Sequence, residues 1–269
     1  MLESLVNFNE INENPYIVGI WSFIVCSVAV LISSQIPFAI PGTNSGFLAV
    51  LFTIIPSVYF ITTLIKREER LEESFIDRKY NKRFWERHEA DIIILLFFFI
   101  GMTAAFAFWS FLLPQDFFHA QISKVNEIQG LGVSGQFVGT SGNMVGANFY
   151  RILLNNTQVM FFSFLFSFIF GAGAIFIITW NASVLGVYVG QLSKTLWHIP
   201  IVSLSFLPHG IPEIVGYLLA GLAGGLLSAA IIRKNPPKVL EIVAIDSLKI
   251  LALGALFILL GAGIETIFV

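Results

Sequence analysis

Five stretches of this chain contain no Asp, Glu, Lys or Arg: Asn14 to Ile65, Ile92 to Gln115, Ile152 to Ser193, Ile214 to Ile232 and Ile250 to Ile264. A helix needs roughly 20 mainly apolar residues to cross a bilayer. Backbone polar groups in hydrocarbon must be satisfied within the segment, which leaves helices or closed barrels. Uncharged runs of this length therefore point to an all-α fold, a polytopic transmembrane helix bundle. Only 12% of the 269 residues are charged, against about 25% in a soluble domain. The formal net charge of -2 points to no nucleic-acid partner, and Cys26 as the one cysteine leaves no internal disulfide and no cysteine-based metal cluster. The N-terminus carries Glu3, Glu10 and Glu13 and no basic n-region, so the first apolar run reads as a membrane anchor rather than a cleaved signal peptide.

The runs predict spans at about Tyr16 to Gln35, Gly46 to Ile65, Ile92 to Leu113, Gln158 to Trp180, Pro212 to Ile232 and Leu248 to Phe268. Ser183 to Leu207 is ambiguous: it is apolar but holds Lys194, Trp197, His198 and Pro200, and a proline and a charge in mid-segment suggest a broken or re-entrant helix pair, with a complete crossing as the other option. Basic residues collect on the cytoplasmic side. Lys66 to Asp91 holds eight of the fifteen Lys and Arg, and Arg233, Lys234, Lys238 and Lys249 form the next cluster. Both are cytoplasmic only if Ser183 to Leu207 crosses. This favours about seven spans in the cell membrane, with a cytoplasmic N-terminus and an external C-terminus; six spans plus a re-entrant hairpin is the alternative.

The eight basic residues of Lys66 to Asp91 are matched by eight acidic ones. The segment reads as a helical arm, either a solvated face or a docking surface for a cytoplasmic protein. Gly130, Gly132, Gly135, Gly139, Gly142 and Gly146 read as a flexible external loop. Val145, Phe149, Ile152 and Leu153 follow at helical spacing and suggest an interfacial helix. Gly216, Ala220, Gly224 and Ser228 recur every four residues, the small-residue stripe that lets membrane helices approach closely. Gly171 and Gly173, then Gly254, Gly261 and Gly263, offer similar contacts. The stripe serves packing inside the bundle or, alternatively, a homo-oligomer interface.

The most singular segment is Pro208-His209-Gly210-Ile211-Pro212-Glu213, which places two ionisable groups between long apolar runs. Charge at membrane depth is costly and marks a helix end, a polar cavity or a working site. In the capping reading Gly210 is an N-cap, Pro212 lies in the first turn and Glu213 stands at the third helical position. The other readings are a polar pocket for a ligand or ion, and catalysis. His209 and Glu213 have i, i+4 spacing, but a metal site needs three or four ligands. His198, His119 and Glu265 complete no motif with them, so neither a metal nor a cofactor is assigned. Asn155, Asn156 and Asn181 are expected to satisfy helix ends or bridge helices. The assumed topology puts Asn155, Asn156, the Pro208 turn and Glu265 on the outer side and Asn181 on the inner side. An outer cluster of Asn156, His209, Glu213 and Glu265 is then feasible. No Ser-His-Asp order, nucleotide loop or Cys-His pair supports a hydrolase or ATPase.

Phe-Tyr-Arg-Ile-Leu-Leu-Asn-Asn from Phe149 to Asn156, the Gly171/Gly173 pair, Asn181-Ala182-Ser183-Val184-Leu185-Gly186, Pro208-His209-Gly210 with Glu213, and Ile264-Glu265-Thr266 together resemble the stage II sporulation protein M family. Ala182 stands where that pattern usually has Gly. The resemblance covers about Ile92 to the end. It divides the chain into residues 1–91, an added hairpin and charged helical arm, and residues 92–269, the family-like core. It implies a multi-pass membrane scaffold that holds partner proteins in cell-envelope remodelling, and it supplies no catalytic residues. The leading expectation is thus a non-enzymatic scaffold whose partners are the bilayer and other membrane or cytoplasmic proteins. A transporter or channel component with a polar site at Pro208 to Glu213, and an intramembrane metalloenzyme, are the alternatives.

Overall fold

The computed structural model describes residues 11, 14–39, 42–77, 84–133 and 141–268, with side chains described at 11, 14–36, 42–65, 89–127 and 149–267. Among the described residues every regular element is helical. The helices are α1 (Tyr16–Ala39), α2 (Ser45–Asp77), α3 (Phe84–Leu112), α4 (His119–Val133), α5 (Ser141–Phe170), α6 (Ala174–Leu192), α7 (His198–Ile232) and α8 (Pro237–Phe268), with a 3-10 turn at Gln115–Phe118 before α4. All but α4 are long and apolar enough to cross a membrane, which gives seven candidate spans.

The number of crossings matches the sequence expectation, but their division does not. Ser183 to Leu207 is a broken helix pair, one of the arrangements expected, rather than one complete crossing or a re-entrant hairpin. Its first part completes α6, the helix breaks at Ser193 to Trp197, and its last part opens α7. The break forms because Ser193 adopts an extended backbone while its N–H bonds back to Gly190 O and its hydroxyl to Val189 O. The fourth span is Phe149–Phe170 rather than Gln158 to Trp180, and Ala174–Leu192 is the fifth.

Other loops also differ from expectation. Gly130 and Gly132 lie in α4, and Gly142 and Gly146 in α5, while Gly135 and Gly139 fall outside the described residues. The expected interfacial helix around Phe149 is the first part of α5. The charged arm is helical from α2 up to Asp77 and again from Phe84, and its side chains lie outside those described.

α7 is the organising helix. From Val215 to Leu226 every residue is buried, because successive glycines let a neighbour in on each side. A Cβ on Gly216 would stand 3.0 Å from Gly254 O of α8, and one on Gly221 would stand 2.8 Å from Ala174 Cβ of α6. On Gly224 it would meet Phe164 O and Phe168 N of α5, and on Gly225 it would come within 2.6 Å of Ile65 of α2. The stripe of Gly216, Ala220, Gly224 and Ser228 therefore packs inside this chain. Gly171 does something else: with φ +71° it turns the chain between α5 and α6, a conformation glycine adopts without a Cβ penalty, and nothing lies within 4 Å of where its Cβ would be. Gly173, in the same turn, abuts Phe166 O.

Two apolar clusters result. One joins α1, α2, α3 and α6 around Phe98, Phe106, Met102 and Leu64; the other joins α7 and α8 around Leu219, Leu226 and Ile250. Trp21, Phe60 and Phe98 tie the first three helices together, with ring centroids 5.3 to 6.2 Å apart.

Candidate functional site

Pro208 to Glu213 forms no turn. It lies inside the continuous helix α7, with Pro208 and Pro212 both internal. Gly210 therefore caps nothing, and Glu213 is not at a helix start. The capping reading fails because a proline removes only its own N–H bond, and neighbouring helices hold the rest of the backbone in register.

Glu213 is instead a bridge between helices. Asn156 of α5 donates its Nδ2–H to Glu213 Oε1 at 2.6 Å. Tyr217, one turn further along α7, donates its hydroxyl to Asn156 Oδ1 in a short hydrogen bond. On the other flank Glu265 of α8, one turn beyond Gly261, lies near the Glu213 carboxyl. Asn156 is 4% exposed and Tyr217 7%. A buried amide and hydroxyl must find partners, and here each completes the other. The helices come this close because α8 presents Gly261: a Cβ there would lie 2.5 Å from Glu213 Cγ and 3.1 Å from His209 O.

The remaining candidates divide clearly. Asn155 is exposed and donates to Asn156 Oδ1 at 3.3 Å, at the edge of the cluster. His209 contributes its carbonyl to the Gly261 contact, while its ring lies 6.0 Å from that of Phe206. Asn181 is elsewhere, mid-way along α6 rather than at a helix end, and donates to Ile177 O in its own helix. Gly186 packs on α3, where a Cβ would stand 2.5 Å from Thr103 O. Gly210 and Gly263 face open space. His119 opens α4 and is exposed, and His198 opens α7 and accepts the Lys194 N–H at 3.4 Å. Neither joins the cluster. Among the described residues no three His, Cys, Asp or Glu side chains converge as metal ligands.

Sequence reading missed Tyr217, which looks like one more aromatic in an apolar run. Its signal was spacing: it follows Glu213 by four positions, on the same helix face. Gln121 was missed as well. It is fully buried and donates to Gly46 O at 2.9 Å and to the Ser183 hydroxyl at 3.4 Å, pinning α4 onto α2 and α6.

A bundle of seven apolar helices, two of them joined by an amide–carboxyl–hydroxyl cluster, defines a polytopic helical membrane protein. The Stage II sporulation protein M (SpoIIM) family profile matches residues 93–269, and the chain belongs to that family. Over 123 residues it is also 30% identical to an uncharacterized protein of Methanocaldococcus jannaschii, a stretch that covers 44% of this chain and 68% of that one. No solved structure matches the chain.

Proposed function

We propose that this protein is a non-enzymatic membrane scaffold of the cell envelope that anchors partner proteins. Its N-terminus and the Lys66 to Asp91 arm are cytoplasmic on this reading. The observation that carries it is the use made of the polar residues at membrane depth. Asn156, Glu213 and Tyr217 are bonded to one another across α5 and α7, and Glu265 of α8 lies near Glu213. They hold the bundle in one arrangement, as a platform requires. The charged arm, with eight basic and eight acidic residues, is the surface offered to a cytoplasmic partner.

Photo-crosslinkers placed along Lys66 to Asp91 in native membranes test this. A defined set of proteins should be captured there, and lost when the arm's charges are replaced by Ser in a chain that melts normally. Labelling of Lys66 to Asp91 and Arg233 to Lys249 from opposite sides of the membrane would break the topology.

A transporter or channel component is the second reading. The carboxyl pair of Glu213 and Glu265 favours it, since ionisable groups within spans mark ion pathways in many membrane proteins. The helix break at Ser193 to Trp197 lends it no support, because it falls between two spans. Solute or ion flux through proteoliposomes of the purified chain, abolished by Glu213→Gln, would replace the scaffold reading with this one.

A further inference from the structure

α5 is the least enclosed span of this bundle. Only 17% of its apolar stretch is buried, against 33 to 78% in the other six. Its inward face carries Asn156, Ser163 and Ser167, all buried. On the opposite face Arg151, Asn155, Gln158 and Phe162 follow at intervals of four, three and four residues, and all four are exposed.

Exposure at this depth is not exposure to water. Gln158 lies near the middle of the Phe149–Phe170 span, about 10 Å along the helix from Arg151. Hydrocarbon offers an amide nothing to bond with, so an unpaired one there is costly. Hydroxyls in the spans avoid that cost locally: Thr63, Ser203 and Ser205 each donate to a carbonyl one turn back on their own helix. A glutamine has two N–H bonds and an acceptor oxygen and is not satisfied by one such contact. Among the described residues nothing bonds the Gln158 side chain, and Asn155 spends one N–H on Asn156 Oδ1.

The chemistry of this face selects its occupant. Lipid tails bring neither donor nor acceptor. A second copy of the chain brings the same residues, and a two-fold axis along the membrane normal sets each residue opposite its own counterpart. An amide suits that symmetry because it donates and accepts at once, so Gln158 of one copy bonds Gln158 of the other. Phe162, one turn deeper, adds apolar contact, and Arg151 stands at the end of the face. The stripe of Gly216 to Ser228 is not available for this purpose, since it is packed within the chain.

We propose that the α5 face of Asn155, Gln158 and Phe162 joins two copies of this chain inside the bilayer. The proposal goes beyond the scaffold reading and does not rest on it, because it concerns the contact between copies and not the partner that is anchored.

Disulfide trapping of the full-length chain in native membranes, in a Cys26→Ser background, tests it. Phe162→Cys should give a covalent dimer on oxidation. Ile24→Cys and Leu256→Cys, at exposed positions of α1 and α8, should not. Adding Gln158→Leu should lower the dimer yield several-fold, while the melting temperature of the diluted monomer stays at or above that of its parent. Without any substitution, the labelled wild type in dilute liposomes should bleach in two steps. Single-step bleaching throughout, trapping at Ile24→Cys or Leu256→Cys as strong as at Phe162→Cys, or a yield untouched by Gln158→Leu overturns the proposal. Modification of Gln158→Cys by a membrane-impermeant thiol reagent also overturns it, and puts a water-filled cleft where the second copy was expected.

Discussion

Two seams of this molecule use the same device to different ends. Between α3 and α6, Gly186 and Gly190 remove side chains so that the α3 backbone can approach. A Cβ would fall 2.5 Å from Thr103 O at the first and 2.5 Å from Ala107 O at the second. The polar groups there stay neutral: Ser110 donates to Ala107 O at 3.1 Å on its own helix, and Thr179 to Met102 Sδ at 3.6 Å across the seam. Between α7 and α8, Gly216, Gly254 and Gly261 produce an equally close approach, but two carboxyls lie there and an amide arrives from a third helix. The first seam is neutral, with long hydrogen bonds across it from Thr179 and Ser110; the second brings two glutamates near each other, and the Asn156 amide ties its Glu213 to α5. They should fail to different substitutions.

Gly190→Leu should have the largest effect. The atoms it would strike include the Ala107 carbonyl, which cannot turn aside. Overpacking of this kind costs about 1–3 kcal/mol, occasionally more, and a large fall in melting temperature in detergent should report it. Near-wild-type melting would mean that the two helices are free to part. Glu213→Ala comes next, with a loss of about 1–3 kcal/mol from leaving the Asn156 amide unsatisfied. Glu213→Gln should keep most of the stability at neutral pH. Equal losses for Ala and Gln would show that the second seam needs a charge rather than a hydrogen bond.

Tyr217→Phe removes one hydroxyl and keeps the ring. Hydrogen bonds between membrane helices average about 0.6 kcal/mol, so a shift of a degree or two is expected. No shift would remove Tyr217 from the cluster. Gly210→Ala should move stability least and in the opposite direction. Nothing lies within 4 Å of the added methyl, and the site is inside a helix, where Ala is favoured over Gly by up to about 1 kcal/mol. A clear loss there would restore the idea that Gly210 has a special conformation.

The class of fold was readable because hydrocarbon imposes so few options. Uncharged runs and basic clusters led to seven crossings, and the small-residue stripe of Gly216 to Ser228 to a closely packed helix. The meeting of Asn156, Glu213 and Glu265 was reachable from topology alone, since all three were expected near one side of the membrane. Local signals misled where prolines and glycines act as punctuation in water but not in a packed bundle. Pro208, Gly210 and Pro212 suggested a helix start, and the glycines of α4 and α5 a loop. In α7 the contact of His209 and Glu213 with Gly261 of α8 holds the helix through its prolines. Lys194 and Pro200 pointed to a break near Ser193, but its exact place depends on a serine that folds back on its own helix. Tyr217 was hidden for another reason: in a sequence with 28 Phe and 6 Tyr, one phenol does not stand out.

The prolines of α7 also decide where this protein is compliant. Pro208 and Pro212 have no N–H to offer the carbonyls four residues before them, those of Leu204 and Pro208. Beyond Pro212 the helix is clamped on every side, whereas from Ile201 to Ile211 much of its surface is open. In mechanical terms α7 is a rod set in a socket, with a soft joint directly before Glu213. A bend in α7 is accommodated most easily at Pro208 to Pro212, ahead of the packed Gly216–Gly254 contact.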